Sequence, residues 1–227
     1  MRGARLNKEK YVLEQSRTAR SILHIGCTSA PNTVGRWRQG TLLHKQLCEH
    51  VDRVTQRVVG IDIDQPSLEW LRERMPHDEI LYADAERLDD YFGPGVRFDL
   101  IIAGDVIEHL PNPGLFLVSS REHLTPDGRI LLTTVNAFGV VRFLKALLDH
   151  EAVHPEHTAY YSGRTLRRLF TMCGLQLTKL GYYKCEPLTR LSLNGIVSNV
   201  TEHILAFPWP QFSEGIVAEA RIAATTA

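Results

Sequence analysis

Three side chains capable of acid–base chemistry lie close together in the segment GDVIEHL. Asp105, Glu108 and His109 follow directly after the apolar run DLIIA, which is typical of a buried strand. In an open parallel sheet, ligands bind beyond the carboxyl ends of the strands. Two carboxylates and an imidazole at such an end predict a site that holds a ligand or accepts a proton. The same residue types also form polar loops that cap a following helix, so this alternative stays open.

Two further carboxylates end neighbouring predicted strands. Asp62 closes the second strand, in RVVGIDID, and Asp84 follows the short third strand EILYA. A carboxylate at the first position can accept hydrogen bonds from both hydroxyls of a ribose, and one at the second can accept a bond from an adenine amino group. Either residue alone is also typical of a helix cap. Their occurrence at successive strand ends favours a nucleoside site.

The loop after the first predicted strand has a glycine but no complete phosphate-binding motif. The strand SILHI ends at Gly26, and the chain continues as Gly-Cys-Thr-Ser-Ala-Pro. Only the first glycine of the dinucleotide fingerprint GxGxxG is present, and the lysine of a Walker A loop is absent. The sequence therefore argues against kinase, NTPase and ordinary dehydrogenase functions.

Apolar strands alternate with helical segments along the chain, which predicts a parallel sheet covered on both faces. Right-handed crossovers then lead to a doubly wound arrangement. We predict an α/β fold: a Rossmann-like, mostly parallel seven-stranded sheet with helices on both faces and an antiparallel last strand. The predicted strands cover residues 21–25, 57–64, 79–83, 99–103, 129–134, 175–183 and 214–223. The predicted helices cover residues 41–51, 67–75, 114–124 and 164–173, with a short helix or arm in 1–20 and a loop over 27–40.

No linker-like change of composition divides the chain, so residues 1–227 are predicted to form a single domain. Two segments, about 137–161 and 186–212, are predicted to be insertions that form a cap on the acceptor side of the sheet. Within the second, residues 191–207 show an apolar stripe with helical spacing. We interpret this stripe as a lid or a wall of an acceptor pocket. Contact with a membrane surface and a homodimer interface are the alternatives.

The composition is that of a globular protein without a global charge. Lys and Arg number 26, and so do Asp and Glu, so nothing in the net charge favours nucleic acid as a partner. No apolar run approaches the roughly 20 residues that span a bilayer. The basic N-terminus lacks the apolar core of a signal peptide. Four scattered cysteines predict free thiols and a cytoplasmic location, namely Cys27, Cys48, Cys173 and Cys185.

The order of these features resembles the class I S-adenosylmethionine-dependent methyltransferases over about residues 20–180, in particular the small-molecule subgroup with the ubiquinone-type and sugar O-methyltransferases. ILHIGC is similar to the family's first motif, VVGIDID to its second, and ADAERL to its adenine-contacting motif. FDLIIAGDVIEHLPNPGLFLVSSREHLTPDGRILLTTVN resembles the family stretch around the fourth and fifth strands. HPEHTAYYSGRTLRRLFTMCGL resembles the segment before the sixth. The combination is specific, whereas no single motif is.

The resemblance implies S-adenosylmethionine as the cofactor and S-adenosylhomocysteine as its product. In that case Asp62 holds the ribose, with Ile63 against the adenine, and Asp84 and Ala85 lie at the adenine edge. The first loop runs past the methionine portion, and the end of the fourth strand lines the path from the sulfonium to the substrate. The cofactor contacts that the resemblance implies are His24, Gly26, Cys27, Thr28, Asp62, Ile63, Asp84, Ala85, Gly104 and Asp105.

The chain departs from the family pattern in its first loop. His24 stands where the family has an acidic residue that helps to hold the methionine ammonium, and Thr28 and Ser29 replace later glycines. A neutral His24 can accept such a hydrogen bond, but a protonated one repels the ammonium. The loop also carries Arg36 and Arg38, which are either solvated or in contact with an anionic substrate or cofactor carboxylate.

Methyl transfer from a sulfonium requires alignment of donor and acceptor and exclusion of water. An alcohol acceptor must also lose a proton, for which an imidazole or carboxylate is suited. The candidate catalytic residues are His109, His157 and Asp105, with His109 or His157 as the preferred base and His154 nearby in sequence. Each of these histidines can also simply bond its own loop.

We therefore predict O-methylation of a small-molecule hydroxyl, on a sugar or secondary metabolite first and on a lipid-like phenol second. One alternative is a metal-assisted RNA 2′-O-methyltransferase, because carboxylate and imidazole together can bind a divalent ion; its candidate ligands are Glu108, His109, His154 and His157. We expect no metal. The other alternative is a non-catalytic member of the family that uses the fold to hold a partner, which the departures at His24 and Thr28 motivate.

Overall fold

A computed structural model describes residues 4–147, 149, 151, 153–183 and 208–224 of the 227. These residues form an eight-stranded sheet with the strand order β1-β7-β8-β6-β5-β2-β3-β4. Strand β8 is antiparallel to β6 and β7, and the other pairings are parallel. The strands are β1 (Ala4–Leu6), β2 (Ser21–Ile25), β3 (Arg57–Asp62), β4 (Glu79–Tyr82), β5 (Phe98–Gly104), β6 (Leu124–Val135), β7 (Leu175–Tyr183) and β8 (Gly215–Ile222).

Helices cover both faces of the sheet, as the residues of β5 show. Ile101 and Ala103 pack into one apolar cluster and Leu100 and Ile102 into another, because successive side chains of a strand point to opposite faces. Helices α5 and α7 contribute to the first cluster and α1 and α3 to the second. The helices are α1 (Lys8–Ser16), α2 (Thr33–Gln39), α3 (Leu43–His50), α4 (Gln65–Arg74), α5 (Pro113–Glu122), α6 (Val140–Ala146) and α7 (Gly163–Met172).

The predicted fold class is confirmed. All seven predicted strands are present, and the last is antiparallel to its neighbours. The chain runs outward from β2 to β4 and then crosses back to β5, which pairs with the other edge of β2. The strand order therefore reverses between β2 and β5. In doubly wound sheets the ligand crevice lies at such a reversal, outside the carboxyl ends of the strands.

Two local elements differ from the prediction. The first 20 residues form a strand as well as a helix: β1 adds three residues in parallel to the edge strand β7. The predicted loop over residues 27–40 contains the short helix α2, which ends at Gly40 with φ +71°. Helix α2 has seven residues and buries only Thr33 fully, so it lacks the apolar period that identifies a helix in a sequence.

The first predicted insertion, residues 137–161, begins and ends next to the carboxyl end of β6. The backbone of Asn136, at the end of β6, bridges to Tyr161, and the Ala137 amide donates to the Tyr161 carbonyl at 2.7 Å. Helix α6 lies inside this loop.

Of the second predicted insertion only residues 208–212 are described, so the apolar stripe at 191–207 lies outside the described residues. Among the helices that are described, none has the length and apolar character needed to cross a bilayer.

Candidate active site

The predicted cofactor residues lie along one edge of the sheet. Gly26, Asp62 and Gly104 stand at the carboxyl ends of β2, β3 and β5, which are adjacent in the sheet. Asp84 follows β4, the next strand outward from β3, and Asp105 follows β5. This arrangement is the one that parallel pairing of these strands dictates, because their carboxyl ends meet at the same edge.

Gly26 makes the tight turn that opens this edge. Its φ of +74° is strained for any residue with a side chain, and a Cβ there would lie 2.8 Å from Cγ2 of Val106. The amides of Gly26 and Cys27 both donate to the carbonyl of Ile61, at 2.9 and 3.1 Å. The first loop is therefore fixed across β3, and the glycine leaves space that a side chain would fill. This space suits the close approach of a ligand to the backbone.

Asp62 is held in place by the backbone and by one hydroxyl. Its Oδ1 accepts the amides of Ile63 and Asp64, at 2.8 and 3.1 Å. Its Oδ2 accepts the amide of Thr28 at 3.1 Å and the Thr28 hydroxyl at 2.6 Å. A carboxylate has about four acceptor positions, so a ribose hydroxyl must replace one of these donors. The Thr28 hydroxyl, which can rotate, is the donor most easily replaced.

Ile63 and Asp84 have the exposure that a nucleoside site needs. Ile63 is 63% exposed, although it follows directly after a buried strand. Asp84 caps the 3₁₀ turn Ala85–Asp90 through Oδ1, which accepts the Glu86 amide at 2.9 Å. Its Oδ2 has no hydrogen-bond partner among the described residues. The capping role that the sequence left open for Asp84 is therefore present, and it leaves one oxygen for a ligand.

We expect Asp62→Ala to weaken the binding of S-adenosylhomocysteine by about 1–3 kcal/mol, roughly 5- to 150-fold, because it removes charge-assisted hydrogen bonds to the ribose. Isothermal titration calorimetry measures the change. Asp64→Ala is the matched control: its carboxylate accepts the Ser67 amide at 3.0 Å and caps α4, so its loss costs stability but not affinity. An unchanged dissociation constant for Asp62→Ala removes Asp62 from the ribose role.

Asp105 is tied to three donors. Lys8 of α1 donates to its Oδ2 at 2.7 Å, and the hydroxyls of Thr133 and Tyr183 donate to its Oδ1 at 2.8 and 2.7 Å. Burial alone would raise the pKa of Asp105, but the charge and hydrogen bond of Lys8, together with the hydrogen bonds of Tyr183 and Thr133, outweigh it and hold the pKa below its usual value. The residue has a φ of +54°, in the left-handed region. Asp105 is therefore a fixed anion.

Glu108 turns away from the histidines and into the protein. It is fully buried, and its two oxygens accept the Thr134 hydroxyl at 2.9 Å and the Val135 amide at 3.3 Å. Burial, reinforced by the charge of Asp105, raises the pKa of Glu108 to about 7.

Within the part of the chain that the structure describes, no three His, Cys, Asp or Glu side chains are arranged to hold a metal ion.

The imidazoles of His109, His154 and His157 form a cluster, and the charge of Asp105 acts on His157. The ring centroids are 4.7 Å apart for His109 and His157, 5.0 Å for His154 and His157, and 5.9 Å for His109 and His154. Thr158 fixes this arrangement: its amide and hydroxyl donate to the Glu108 carbonyl, at 2.7 and 3.0 Å. The structure thus brings together two histidines of the inserted segment and the one that follows β5.

His157 has the properties of a base. Its Nδ1 is buried and has no hydrogen-bond partner among the described residues. Burial lowers the pKa of His157, and the neighbouring His109 and His154 lower it further. The ring is therefore neutral near pH 7 and can accept a proton.

His24 is buried and neutral. Its Nδ1 lies 3.2 Å from Nδ1 of His44, which belongs to α3, and the two rings are stacked. Burial lowers the pKa of His24 well below its usual value, and His44 adds to the effect. The repulsion that a protonated His24 would exert on an ammonium therefore does not arise.

Sequence reasoning missed the partners of these residues. Five residues that position the site were not singled out: Lys8, His44, Thr133, Thr158 and Tyr183. Only His44 carried a signal, because it lies on the apolar face of the predicted helix TLLHKQLCEHV, three residues before Leu47 and four before Cys48. The others act across 28 to 97 residues of sequence or through the backbone, and no local pattern marks them.

Comparisons with known proteins identify the family of the chain. The profile of the family described as "Methyltransferase domain" matches residues 5–180. A ubiquinone biosynthesis O-methyltransferase of Bradyrhizobium diazoefficiens is 31% identical over 98 residues, which cover 40% of this chain and 36% of that protein. A probable S-adenosylmethionine-dependent methyltransferase of Mycolicibacterium smegmatis is 25% identical over 163 residues, covering 70% of this chain and 60% of that protein.

Solved structures show the same fold at low identity. A S-adenosylmethionine-dependent methyltransferase from Archaeoglobus fulgidus matches with a TM-score of 0.61 and 16% identity, over 94% of this chain and 90% of that one. An N-methyltransferase from Bradyrhizobium japonicum, in complex with S-adenosylhomocysteine, matches with a TM-score of 0.55 and 14% identity, over 96% and 85%.

The chain spans little more than a third of the length of the ubiquinone-pathway relatives that it matches. The family profile, in contrast, covers most of the chain, including the ends of β2, β3, β4 and β5, where the predicted cofactor residues lie. This protein therefore belongs to the methyltransferase domain family, that of the class I S-adenosylmethionine-dependent methyltransferases.

Proposed function

We propose that the protein transfers the methyl group of S-adenosylmethionine to a hydroxyl of a small molecule. One observation carries the proposal: a cluster of imidazoles follows β5, at the sheet edge where Asp62 and Asp84 present carboxylates, and the buried Nδ1 of His157 has no hydrogen-bond partner among the described residues. In this proposal the two carboxylates hold the nucleoside and an imidazole acts as the base.

The residues present fit the cofactor. S-adenosylmethionine, when bound, supplies a methyl group on a sulfonium that is already an excellent leaving group. Asp62 would hold the ribose, Ile63 and Asp84 would contact the adenine, and Gly26 leaves the space for the methionine portion. The chain's main contribution to catalysis is then to align the acceptor oxygen with the methyl carbon and to exclude water.

The acceptor proton is the second requirement. His157 would accept the proton of the acceptor hydroxyl through a ring nitrogen, and our candidate is Nδ1, which has no hydrogen-bond partner among the described residues. His109 is the alternative base. Asp105 already accepts bonds from Lys8 and two hydroxyls, so we give it the role of a fixed anion that orders the floor of the site.

A hydroxyl on a sugar or secondary metabolite is our first choice of acceptor. A lipid-like phenol is our second choice, and two observations support this second acceptor. The ubiquinone biosynthesis relatives are O-methyltransferases by name. Large apolar side chains are also exposed in the inserted segments that follow the sheet edge: Phe138, Phe143, Leu147, Val153 and Trp209. An apolar acceptor would cover part of this surface.

Methyl transfer from isotope-labelled S-adenosylmethionine to a panel of catechols, phenols and sugar hydroxyls tests the proposal. We expect a labelled ether product from at least one hydroxyl class, a clearly lower yield with Asp62→Ala at a cofactor concentration near the wild-type KM, and no effect of a metal chelator. Activity that is lost with chelator and restored only by a divalent ion favours the metal-assisted RNA alternative. Absence of cofactor binding at millimolar concentration favours the non-catalytic alternative.

A further inference from the structure

Four polar side chains form a buried row behind the first loop. His24 on β2 contacts His44 on α3, His44 contacts Cys48 one turn later, and Cys48 contacts Asp78 before β4. We call these four residues the His24 relay. The site described above includes His24 and its contact with His44, but not Cys48 or Asp78.

The chain makes room for this row. A Cβ on Gly60 would lie 2.5 Å from Cε1 of His44, so the absence of a side chain at position 60 is what admits the His44 ring. The two Nδ1 atoms of His24 and His44 are 3.2 Å apart, and Nε2 of His44 lies 3.8 Å from Sγ of Cys48. Asp78 forms an ion pair with Arg53 at 3.0 Å.

The charge state of each member is defined by its surroundings. Burial lowers the pKa of His24 well below its usual value, and burial likewise lowers that of His44 to about 4. Burial raises the pKa of Cys48 to about 12, with the charge of Asp78 and a hydrogen bond to it adding to the effect. Near pH 7 the row therefore contains two neutral imidazoles, one thiol and one carboxylate.

These states leave one consistent placement of the protons. A thiol has a single proton, and a carboxylate accepts it more strongly than an imidazole does. Because the thiol proton of Cys48 is donated to Asp78, the sulfur can only accept a hydrogen bond from His44. The proton of the His44 ring therefore lies on Nε2, and its Nδ1 carries no proton. The bare Nδ1 of His44 accepts from His24, so the His24 proton lies on Nδ1. Nε2 of His24 is then an acceptor, and it has no hydrogen-bond partner among the described residues.

We propose that His44 is a positioning residue that fixes the tautomer of His24, so that Nε2 of His24 presents a lone pair to the methionine ammonium of S-adenosylmethionine. The relay thereby lets a neutral imidazole act where the family resemblance implies a carboxylate. This inference rests on the proposed function, because it assumes that the cofactor binds at this edge. Cys48 and Asp78 act only through His44.

Nitrogen-15 NMR of the histidine rings in the unliganded protein tests the proton placement directly. We expect His24 to be protonated on Nδ1 and bare on Nε2, and His44 to be protonated on Nε2 and bare on Nδ1. His50 supplies an internal reference for a bare Nε2, because that atom accepts from Nε of Arg17 at 2.9 Å. A proton on Nε2 of His24 overturns the inference.

Binding measurements test the role toward the cofactor. His44→Leu removes the acceptor for His24 and is expected to weaken S-adenosylhomocysteine binding by about fivefold, the effect of one neutral hydrogen bond. Binding of methylthioadenosine, which lacks the amino-acid portion, is expected to stay unchanged. His44→Asn, which keeps an acceptor near the Nδ1 position, is expected to retain most of the affinity.

The outcomes separate this inference from the proposed function. If the wild-type protein binds no S-adenosylhomocysteine, the proposed function fails. If the wild type binds and folded His44→Leu binds equally well, or if both ligands weaken equally, the relay inference alone fails. If His44→Leu does not fold, the NMR experiment on the wild-type protein still decides.

Discussion

Replacing His157 with phenylalanine is expected to lower kcat for a hydroxyl acceptor by about 10²- to 10⁴-fold, the usual contribution of a positioned base. Phenylalanine keeps a ring in the imidazole cluster but cannot accept a proton. Because burial and the neighbouring imidazoles lower the pKa of His157 below 6.5, the wild-type rate should hold down to mildly acidic pH. It should then fall as the pH drops through the pKa of His157. Single-turnover kinetics with labelled S-adenosylmethionine measures both effects.

Two matched variants make this experiment decisive. His109→Phe removes the alternative base, so comparison of the two losses shows which imidazole takes the proton. His77→Gln changes an exposed histidine that follows α4 and should leave kcat unchanged. The affinity for S-adenosylhomocysteine should be unaltered in all three. If kcat survives in both His157→Phe and His109→Phe, neither imidazole is the base.

Acid is expected to remove about 3 kcal/mol of folding free energy through His44 alone. Its pKa is about 4 in the folded protein, because of burial, against 6.5 in the unfolded chain. Between these values the unfolded state binds the proton and the folded state does not, so stability falls as the pH falls from about 6.5 to about 4 and is constant below. His24, whose pKa is lowered in the same way, adds in the same direction.

The measurement must isolate this contribution, because Glu108 opposes it. Burial raises the pKa of Glu108 to about 7. Protonation of Glu108 therefore stabilises the folded protein as the pH falls from about 7 toward 4.5. Urea unfolding of the wild type and His44→Leu at a series of pH values cancels the shared groups. The gap in unfolding free energy between the two proteins should narrow by about 3 kcal/mol toward pH 4. A gap that is independent of pH contradicts the buried neutral state of His44.

The sheet and its ligand edge could be predicted because each strand carries its own signal. Runs such as SILHI and DLIIA are mostly apolar, which is typical of a strand buried on both faces. Once the strands are parallel and doubly wound, the position of Asp62, Asp84 and Asp105 at one edge follows from topology alone. The roles of these carboxylates toward the cofactor remain predictions that binding measurements must test.

The contacts that organise the site could not be predicted, because they join distant parts of the chain. Lys8 and Asp105 are 97 residues apart, and their pairing depends on how α1 crosses the face of the sheet. The edge strand β1 has three residues and no alternating pattern. His44 lies on the apolar face of a predicted helix, but no local pattern shows that it contacts His24 or that Gly60 leaves the space for its ring. Tertiary packing, rather than local propensity, decides each of these.

A crystal structure with S-adenosylhomocysteine tests the central claim most directly. We expect the ribose hydroxyls to bind Asp62 in place of the Thr28 hydroxyl and the adenine to lie between Ile63 and Asp84. The sulfur should point toward the space between Asp105 and the imidazole cluster. A nucleoside bound elsewhere, with Asp62 and Asp84 turned away from it, contradicts the account.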